Sequence, residues 1–310
     1  MARICLGISC VVVSGYSMPC FGPLTAYHGK HVNPLTGKRS LVFKLSLSFD
    51  GLRLQVPCGR CIGCRLERSR LWAIRCMHEK RMHLESAFVT LTYANKHLPS
   101  GSTLVVRDVQ LFLKKLRKKR PSGLRFFACG EYGERTKRPH YHFLFFNTRF
   151  PDQRFYKQSD SGSPLFRSAE LSELWSVGDN YVGGVTFDSC CYVAGYCTKV
   201  VRGDKAAAHY GERIPEFCLM SRRPGIGRGW FDAFHREAYA HDSAVMNERE
   251  VGLPRYYDNL FESIDSDRLA ELKIARRERA NLKYLDSVPK RLRVRERFEE
   301  LKYARFAREP

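Results

Sequence analysis

Between Ser86 and Tyr93 the chain reads SAFVTLTY. Val89, Leu91 and Tyr93 fall on one face of an extended segment, and Phe88, Thr90 and Thr92 on the other. This pattern predicts a strand. A second follows from Arg138 to Phe146, RPHYHFLFF, with Pro139 tolerated as its first residue. Tyr141, Phe143 and Phe145 oppose Leu144 and Phe146, so this strand is expected to be central and covered on both sides. Leu41–Phe49 alternates as another strand, and Leu124–Cys129 as a third, with Gly130-Glu131-Tyr132-Gly133 turning toward the histidine strand. Helical spacing predicts a basic helix over 65–84. It predicts another starting near Arg107, with Val109, Phe112, Leu113 and Leu116 inward and Lys114, Lys115 and Lys118 outward. Residues 147–167 are expected as a polar loop. Ser168 should cap a short helix bearing Leu171, Leu174 and Trp175. Tyr181–Phe187 is predicted as a strand. Asp188 or Ser189 should then cap a helix carrying Tyr192, Tyr196 and Lys199, ended by Gly203. Residues 268–310 suggest a basic helix interrupted at Pro289, or a disordered tail. This order predicts an α+β fold with a largely antiparallel sheet.

Charge narrows the class of partner. The 310 residues carry 53 Lys and Arg against 32 Asp and Glu, a net +21. Such a surface seeks a polyanion, either nucleic acid or an anionic membrane. No apolar run reaches the ~18 residues a membrane span needs. The segment from Ile4 to Val13 is apolar but short, and no A-x-A-like site follows it. Met18 is therefore read as the start, with residues 1–17 a leader or misassigned. The remaining chain divides into a Cys-rich basic region (18–85), a core (86–205), a basic extension (206–267) and a basic tail (268–310).

Cysteine placement adds a metal. Of 12 cysteines, Cys58, Cys61 and Cys64 form a CxxCxxC knuckle whose spacing lets thiolates face one ion. Tetrahedral zinc needs a fourth ligand, for which Cys20 and Cys76 are candidates. The other cysteines are scattered, as in a reducing cytoplasm.

His140 and His142 point the same way from one strand, half of a metal site. Glu131, beside that strand, is the best third ligand. A nitrogen and oxygen donor set with open positions suits Mg²⁺ or Mn²⁺ acting on a phosphodiester. Tyr192 and Tyr196 are one helical turn apart, and Lys199 follows on the same side. A phenol of pKa ~10 becomes a useful nucleophile when a cation stabilises the phenolate. Further on, Arg222, Arg223, Arg228 and Trp230 sit in a glycine-rich stretch suited to phosphate contact and base stacking, unless Trp230 packs inward. No GxxxxGK[ST] phosphate loop occurs.

FVTLTY (Phe88–Tyr93), GEYGE (Gly130–Glu134) with RPHYHFLFF, and YVAGYCTK (Tyr192–Lys199) together resemble the three motifs of HUH rolling-circle replication initiators. The resemblance is closest to those of the microviruses, in their gokushovirus branch. PCGRCIGCRLERSRLWAIRC (Pro57–Cys76) and MSRRPGIGRGWF (Met220–Phe231) add to it, over roughly residues 18–260. It implies an HUH endonuclease core and an enzyme that nicks and rejoins single-stranded origin DNA in the host bacterial cytoplasm. His140 and His142 would hold the metal. One of Tyr192 and Tyr196 would form a 5′-phosphotyrosine, leaving a 3′-OH for the host polymerase, and the other would act after one circuit. Gly195 stands where some relatives carry a lysine, so Lys199 alone would fill that role. Without a phosphate loop, strand separation would fall to a host helicase. A non-catalytic zinc-containing nucleic-acid-binding protein and an HUH transposase or plasmid nickase are the other classes these features fit.

Overall fold

The computed structural model describes residues 20–306, apart from 36, 121, 134, 135, 160, 161, 197–199, 202 and 283. Lys199 and the 1–17 leader lie outside the described residues. The chain forms two compact units, a larger one over Arg68–Ile274 and a smaller one over residues 20–67 and 275–304.

The smaller unit holds strands β1 (Leu24–Val32), β2 (Arg39–Val42) and β3 (Leu54–Val56) in the antiparallel order β2-β1-β3. It also holds the first residues of α1 (Ile62–Arg81) and much of α9 (Pro289–Phe306). The expected strand over Leu41–Phe49 stops at Val42. Phe43, Leu45, Leu47 and Phe49 are all exposed, so their alternation has no layer to pack against. Ser48 N–H donates to Leu45 O at 2.9 Å and closes a tight turn instead. Phe21, Ile62 and Leu292 form this unit's buried apolar cluster among the described residues.

The larger unit is built on a seven-stranded antiparallel sheet. Its strands are β4 (Ser86–Thr92), β5 (Arg125–Tyr132), β6 (Pro139–Phe146), β7 (Arg154–Gln158), β8 (Pro164–Arg167), β9 (Asn180–Gly183) and β10 (Phe217–Met220), ordered β10-β5-β6-β4-β9-β8-β7. The fold is therefore α+β, as the pattern predicted, and the histidine strand β6 is interior with every residue buried. Helices α2 (Val106–Lys119) and α3 (Ala169–Leu174) cover one face. Val109, Phe112, Leu113 and Leu116 of α2 pack there with Tyr141, Phe143 and Phe145. Ser168 caps α3 by accepting from Leu171 N–H at 3.0 Å.

The opposite face carries the polar row. It is covered by the rest of α1, by α4 (Phe187–Tyr196) and by α6 (Arg228–His241). Helix α5 (Lys205–Tyr210), the ribbon of β11 (Ala244–Met246) and β12 (Arg249–Val251), α7 (Arg255–Phe261) and α8 (Ser266–Asn281) complete the described elements. Pro289 separates α8 from α9, where the sequence placed the interruption.

Three expectations are corrected. Residues 147–167 are not all loop: β7 and β8 form a hairpin, closed where Ser159 N–H donates to Ser163 O at 2.8 Å. Gly130-Glu131-Tyr132 stays in β5, and the turn begins only at Gly133, whose N–H donates to Arg138 O at 2.9 Å. Thr186 starts α4, rather than Asp188 or Ser189. Its Oγ1 accepts from Ser189 N–H at 3.1 Å while Ser189 Oγ accepts from Thr186 N–H at 2.8 Å, a reciprocal cap. The preceding strand accordingly ends at Gly183.

Candidate active site

Strand register sets the site. Thr90 and Cys129 flank His142 as direct cross-strand partners, and Thr92 and Glu131 flank His140. Residues opposite one another in an antiparallel pair share a face. The two imidazoles therefore emerge side by side, their rings nearly parallel at 5° with centroids 6.5 Å apart. His142 Nε2 lies 3.2 Å from Glu131 Oε1, and its Nδ1 lies 2.9 Å from Thr90 Oγ1. His140 Nδ1 lies 2.8 Å from the carbonyl oxygen of Arg138. A carbonyl only accepts, so His140 carries its proton on Nδ1 and turns a bare Nε2 outward. Burial holds the His140 pKa below the usual histidine value, which keeps the ring neutral, the form that ligates metals.

Helix α4 brings the tyrosines to the same place. Eight of its ten residues are buried, because it is apolar on nearly all sides and is wrapped by neighbours. Ser69 of α1 donates to Cys191 O at 2.6 Å and Lys80 donates to Val185 O at 2.6 Å, pinning the helix and its entry. Tyr192 meets the His142 ring edge-on at 5.1 Å, and Tyr196 lies parallel to it at 5.6 Å. The phenol rings are 4.8 Å apart. Burial, then the neighbouring Tyr192 and Glu131, push the Tyr196 pKa well above the ordinary tyrosine value. A cation placed here would act in the opposite direction.

The donor set can be tested against a divalent ion. Glu131 is buried, and its Oε2 has no hydrogen-bond partner. An unsatisfied buried acceptor costs roughly 1–3 kcal/mol, more when charged, and a cation would remove that cost. Two imidazoles and a carboxylate also form a chemically apt set. The residues fit such an ion once the 6.5 Å ring spacing closes. Thr90 and Gly133 were not singled out from the sequence. Thr90 alternates with Phe88 on a strand expected to pair, and only the register reveals its contact. A Cβ at Gly133 would come within 3.0 Å of His140 Cε1, so the second glycine of GEYG leaves room for the ligand ring.

A separate cluster lies in the smaller unit. The sulfurs of Cys20, Cys58, Cys61 and Cys64 are all within 4.8 Å of one another, the one such group of possible metal ligands among the described residues. Cys20 and Cys61 sulfurs are 4.0 Å apart, close to the ~3.8 Å edge of a tetrahedron with Zn–S bonds of about 2.3 Å. Burial works to raise the Cys58 thiol, but N–H groups of Cys61 and Arg60 outweigh it and bring it to about 7. Cys20 is thus the fourth member; Cys76 is buried in the core of the larger unit.

The arginine stretch is anchored from beneath. Buried Glu79 pairs with Arg125 and accepts from Gly227 N–H at 2.6 Å, while Arg125 donates to Pro224 O at 2.8 Å. Arg222 and Arg223 are exposed, and Arg228 pairs with Asp232 at 2.7 Å. Trp230 sits in the first turn of α6, buried and stacked on His78 with centroids 3.6 Å apart. It packs inward and offers no free face to a base.

A family model for replication-associated proteins of the ORF2 type matches residues 86–201, the span that contains Glu131, both histidines and both tyrosines. The chain is 34% identical over 214 residues to replication-associated protein VP4 of Bdellovibrio phage phiMH2K, covering 66% of this chain and 67% of the relative. It is 33% identical over 222 residues to replication-associated protein ORF2 of Spiroplasma virus 4, covering 67% and 68%. Replication-associated protein ORF4 of Chlamydia phage 1 shares 28% identity over 223 residues, 68% of this chain and 55% of that one. No solved structure matches the chain. With its antiparallel core and buried His–Glu–Tyr cluster, the chain belongs to the replication-associated proteins of the microviruses.

Proposed function

We propose that this protein initiates rolling-circle replication of a phage genome by nicking single-stranded origin DNA and later rejoining it. The observation that carries the reading is the packing of Tyr192 and Tyr196 on His142, itself 3.2 Å from Glu131. In the proposed reaction a tyrosine Oη bonds to the scissile phosphorus and the P–O3′ bond breaks. The phenol proton leaves, and the 3′ oxygen takes up a proton. A 5′-phosphotyrosine and a free 3′-OH result. The second tyrosine repeats the attack after one circuit, and the released 3′-OH reverses the chemistry to close a circle.

His140, His142 and Glu131 would hold Mg²⁺ or Mn²⁺, which supplies charge stabilisation at the phosphate oxygens when bound. Tyr192 and Tyr196 are 5% and 6% exposed, so a DNA strand reaches them only after α4 or its rings part from β6. Arg222 and Arg223 would meet the DNA backbone. The four cysteines would hold a structural Zn²⁺. Lys199 would assist the tyrosines. The absence of a phosphate loop assigns strand separation to a host helicase and synthesis to a host polymerase, in the host cytoplasm. Among the described residues no helix is long and apolar enough to cross a membrane. A non-catalytic DNA-binding role leaves the buried His–Glu–Tyr cluster without a purpose.

The experiment is incubation of purified protein with unpaired origin DNA and Mn²⁺, without ATP. A covalent protein–DNA adduct, absent in the Tyr192→Phe/Tyr196→Phe double variant, is expected.

A further inference from the structure

We infer that Thr90 is a positioning residue whose hydroxyl reverses its hydrogen bond so that His142 can change tautomer in place. The inference rests on the metal centre proposed above. Thr90, His142 and Glu131 are 1%, 2% and 4% exposed, so water cannot substitute for any of the three partners. His142 spans two of them, with Nδ1 2.9 Å from Thr90 Oγ1 and Nε2 3.2 Å from Glu131 Oε1.

A neutral imidazole carries one proton, and an ionised carboxylate only accepts. Without metal, Nε2 must therefore hold the proton and donate it to Glu131. Nδ1 is then bare, and Thr90 must donate to it. To present a lone pair from Nε2 to a cation, the ring needs its proton on Nδ1. Thr90 must then accept. One proton leaves Nε2, one arrives at Nδ1, and the ring stays neutral.

Of the side chains that fit beside Nδ1, a hydroxyl serves both states, whereas a carbonyl could only accept and an ammonium only donate. The ring cannot exchange its nitrogens by flipping. Phe88 lies parallel to it at 5.9 Å and Tyr196 at 5.6 Å, with interplanar angles of 6° and 13°. His140 has no such freedom, because its Nδ1 faces a backbone carbonyl and its tautomer is fixed. The two histidines are thus unlike: one is set for metal permanently, the other only when its neighbours rearrange.

The test uses full-length protein with ¹⁵N-labelled histidine, Mg²⁺ as the NMR probe and Mn²⁺ as the affinity probe. In metal-free protein the His142 signals are expected to report a proton on Nε2, moving to Nδ1 on addition of Mg²⁺. Thr90→Val keeps the side-chain shape but removes the hydroxyl, and is expected to weaken Mn²⁺ binding ~10- to 100-fold, the range for lost partners of metal-bound histidines. Thr90→Ser should bind as wild type does. A Thr90→Val protein that binds Mn²⁺ as tightly as wild type, or a His142 ring already protonated on Nδ1 without metal, overturns the inference and leaves the metal centre standing. Wild-type Mn²⁺ binding unaffected by His142→Ala overturns both. The wild-type tautomer measurement needs no variant and decides the matter even if Thr90→Val fails to fold.

Discussion

Tyr196 lies parallel to His142, with ring centroids 5.6 Å apart and planes 13° from each other. Tyr192 approaches the same imidazole by its edge. Two chemically identical groups thus meet one metal-binding candidate in different orientations, so they need not act interchangeably. Tyr192→Phe and Tyr196→Phe each keep the buried ring. One single variant is expected to lose first-strand cleavage, and the other to cleave but fail to release closed circles. Electrophoresis of labelled origin oligonucleotides separates the two outcomes. Full activity of both single variants in both steps would contradict a division of labour.

Gly133 leaves no space for a Cβ beside His140. Gly133→Ala is expected to push the ring aside and lower adduct formation about 100-fold, as displacements near 1 Å can. The melting temperature should change little, because Gly133 lies in a turn at the sheet's end. Adduct formation at the wild-type rate would show that His140 tolerates the shift or has no part in the reaction.

His78 couples folding to pH. Burial, with Arg81 nearby, pushes its pKa down to about 3 from an ordinary 6.5. The unfolded chain therefore binds the proton more readily. The stability this neutral ring allows is complete above about pH 6.5 and is lost as pH falls from there toward about 3. His78→Gln is expected to flatten that part of the pH dependence in denaturant melts. An equally steep profile in the variant would assign the acid sensitivity to other groups.

The smaller unit has little else to hold it. Its buried apolar cluster is Phe21, Ile62 and Leu292 among the described residues, so a tetrathiolate metal is expected to supply much of its stability. Purified protein should carry one zinc per chain by elemental analysis. Cys58→Ser/Cys61→Ser should lose it and expose residues 20–67 to limited proteolysis. Stable, protease-resistant protein without zinc would remove the structural role.

Arg222 and Arg223 stand exposed on a stretch tied down through Glu79 and Arg125. Arg222→Glu/Arg223→Glu is expected to reduce the salt dependence of single-strand binding by about 0.7 in log–log slope for each phosphate the chain no longer neutralises. An unchanged slope would place the DNA elsewhere.

Much of this was legible in the chain because its strongest signals are periodic. The α2 face of Val109, Phe112, Leu113 and Leu116 and the two-sided apolar β6 follow directly from spacing. The histidines share a side because a strand alternates. Glu131 was placed beside them for the wrong local reason, as a turn residue, whereas it is a strand residue directly opposite His140. Cross-strand register is a long-range property, which is why Thr90 was passed over. Leu41–Phe49 misled because alternation signals a strand only when one face is buried. Trp230 carried two readings in sequence, and its stacking on His78, far away along the chain, depended on α1 and α6 packing together. Cys20 and Cys76 were equally eligible by type, and only the folded chain separates them.

The most direct measurement is the bond itself. Protein incubated with single-stranded origin DNA and Mn²⁺ is digested with protease, and the DNA-linked peptide is sequenced by mass spectrometry. A 5′-phosphate joined to Tyr192 or Tyr196 is the expected result. DNA cleaved with no protein attached, or attached through a residue outside α4, would contradict the proposed chemistry.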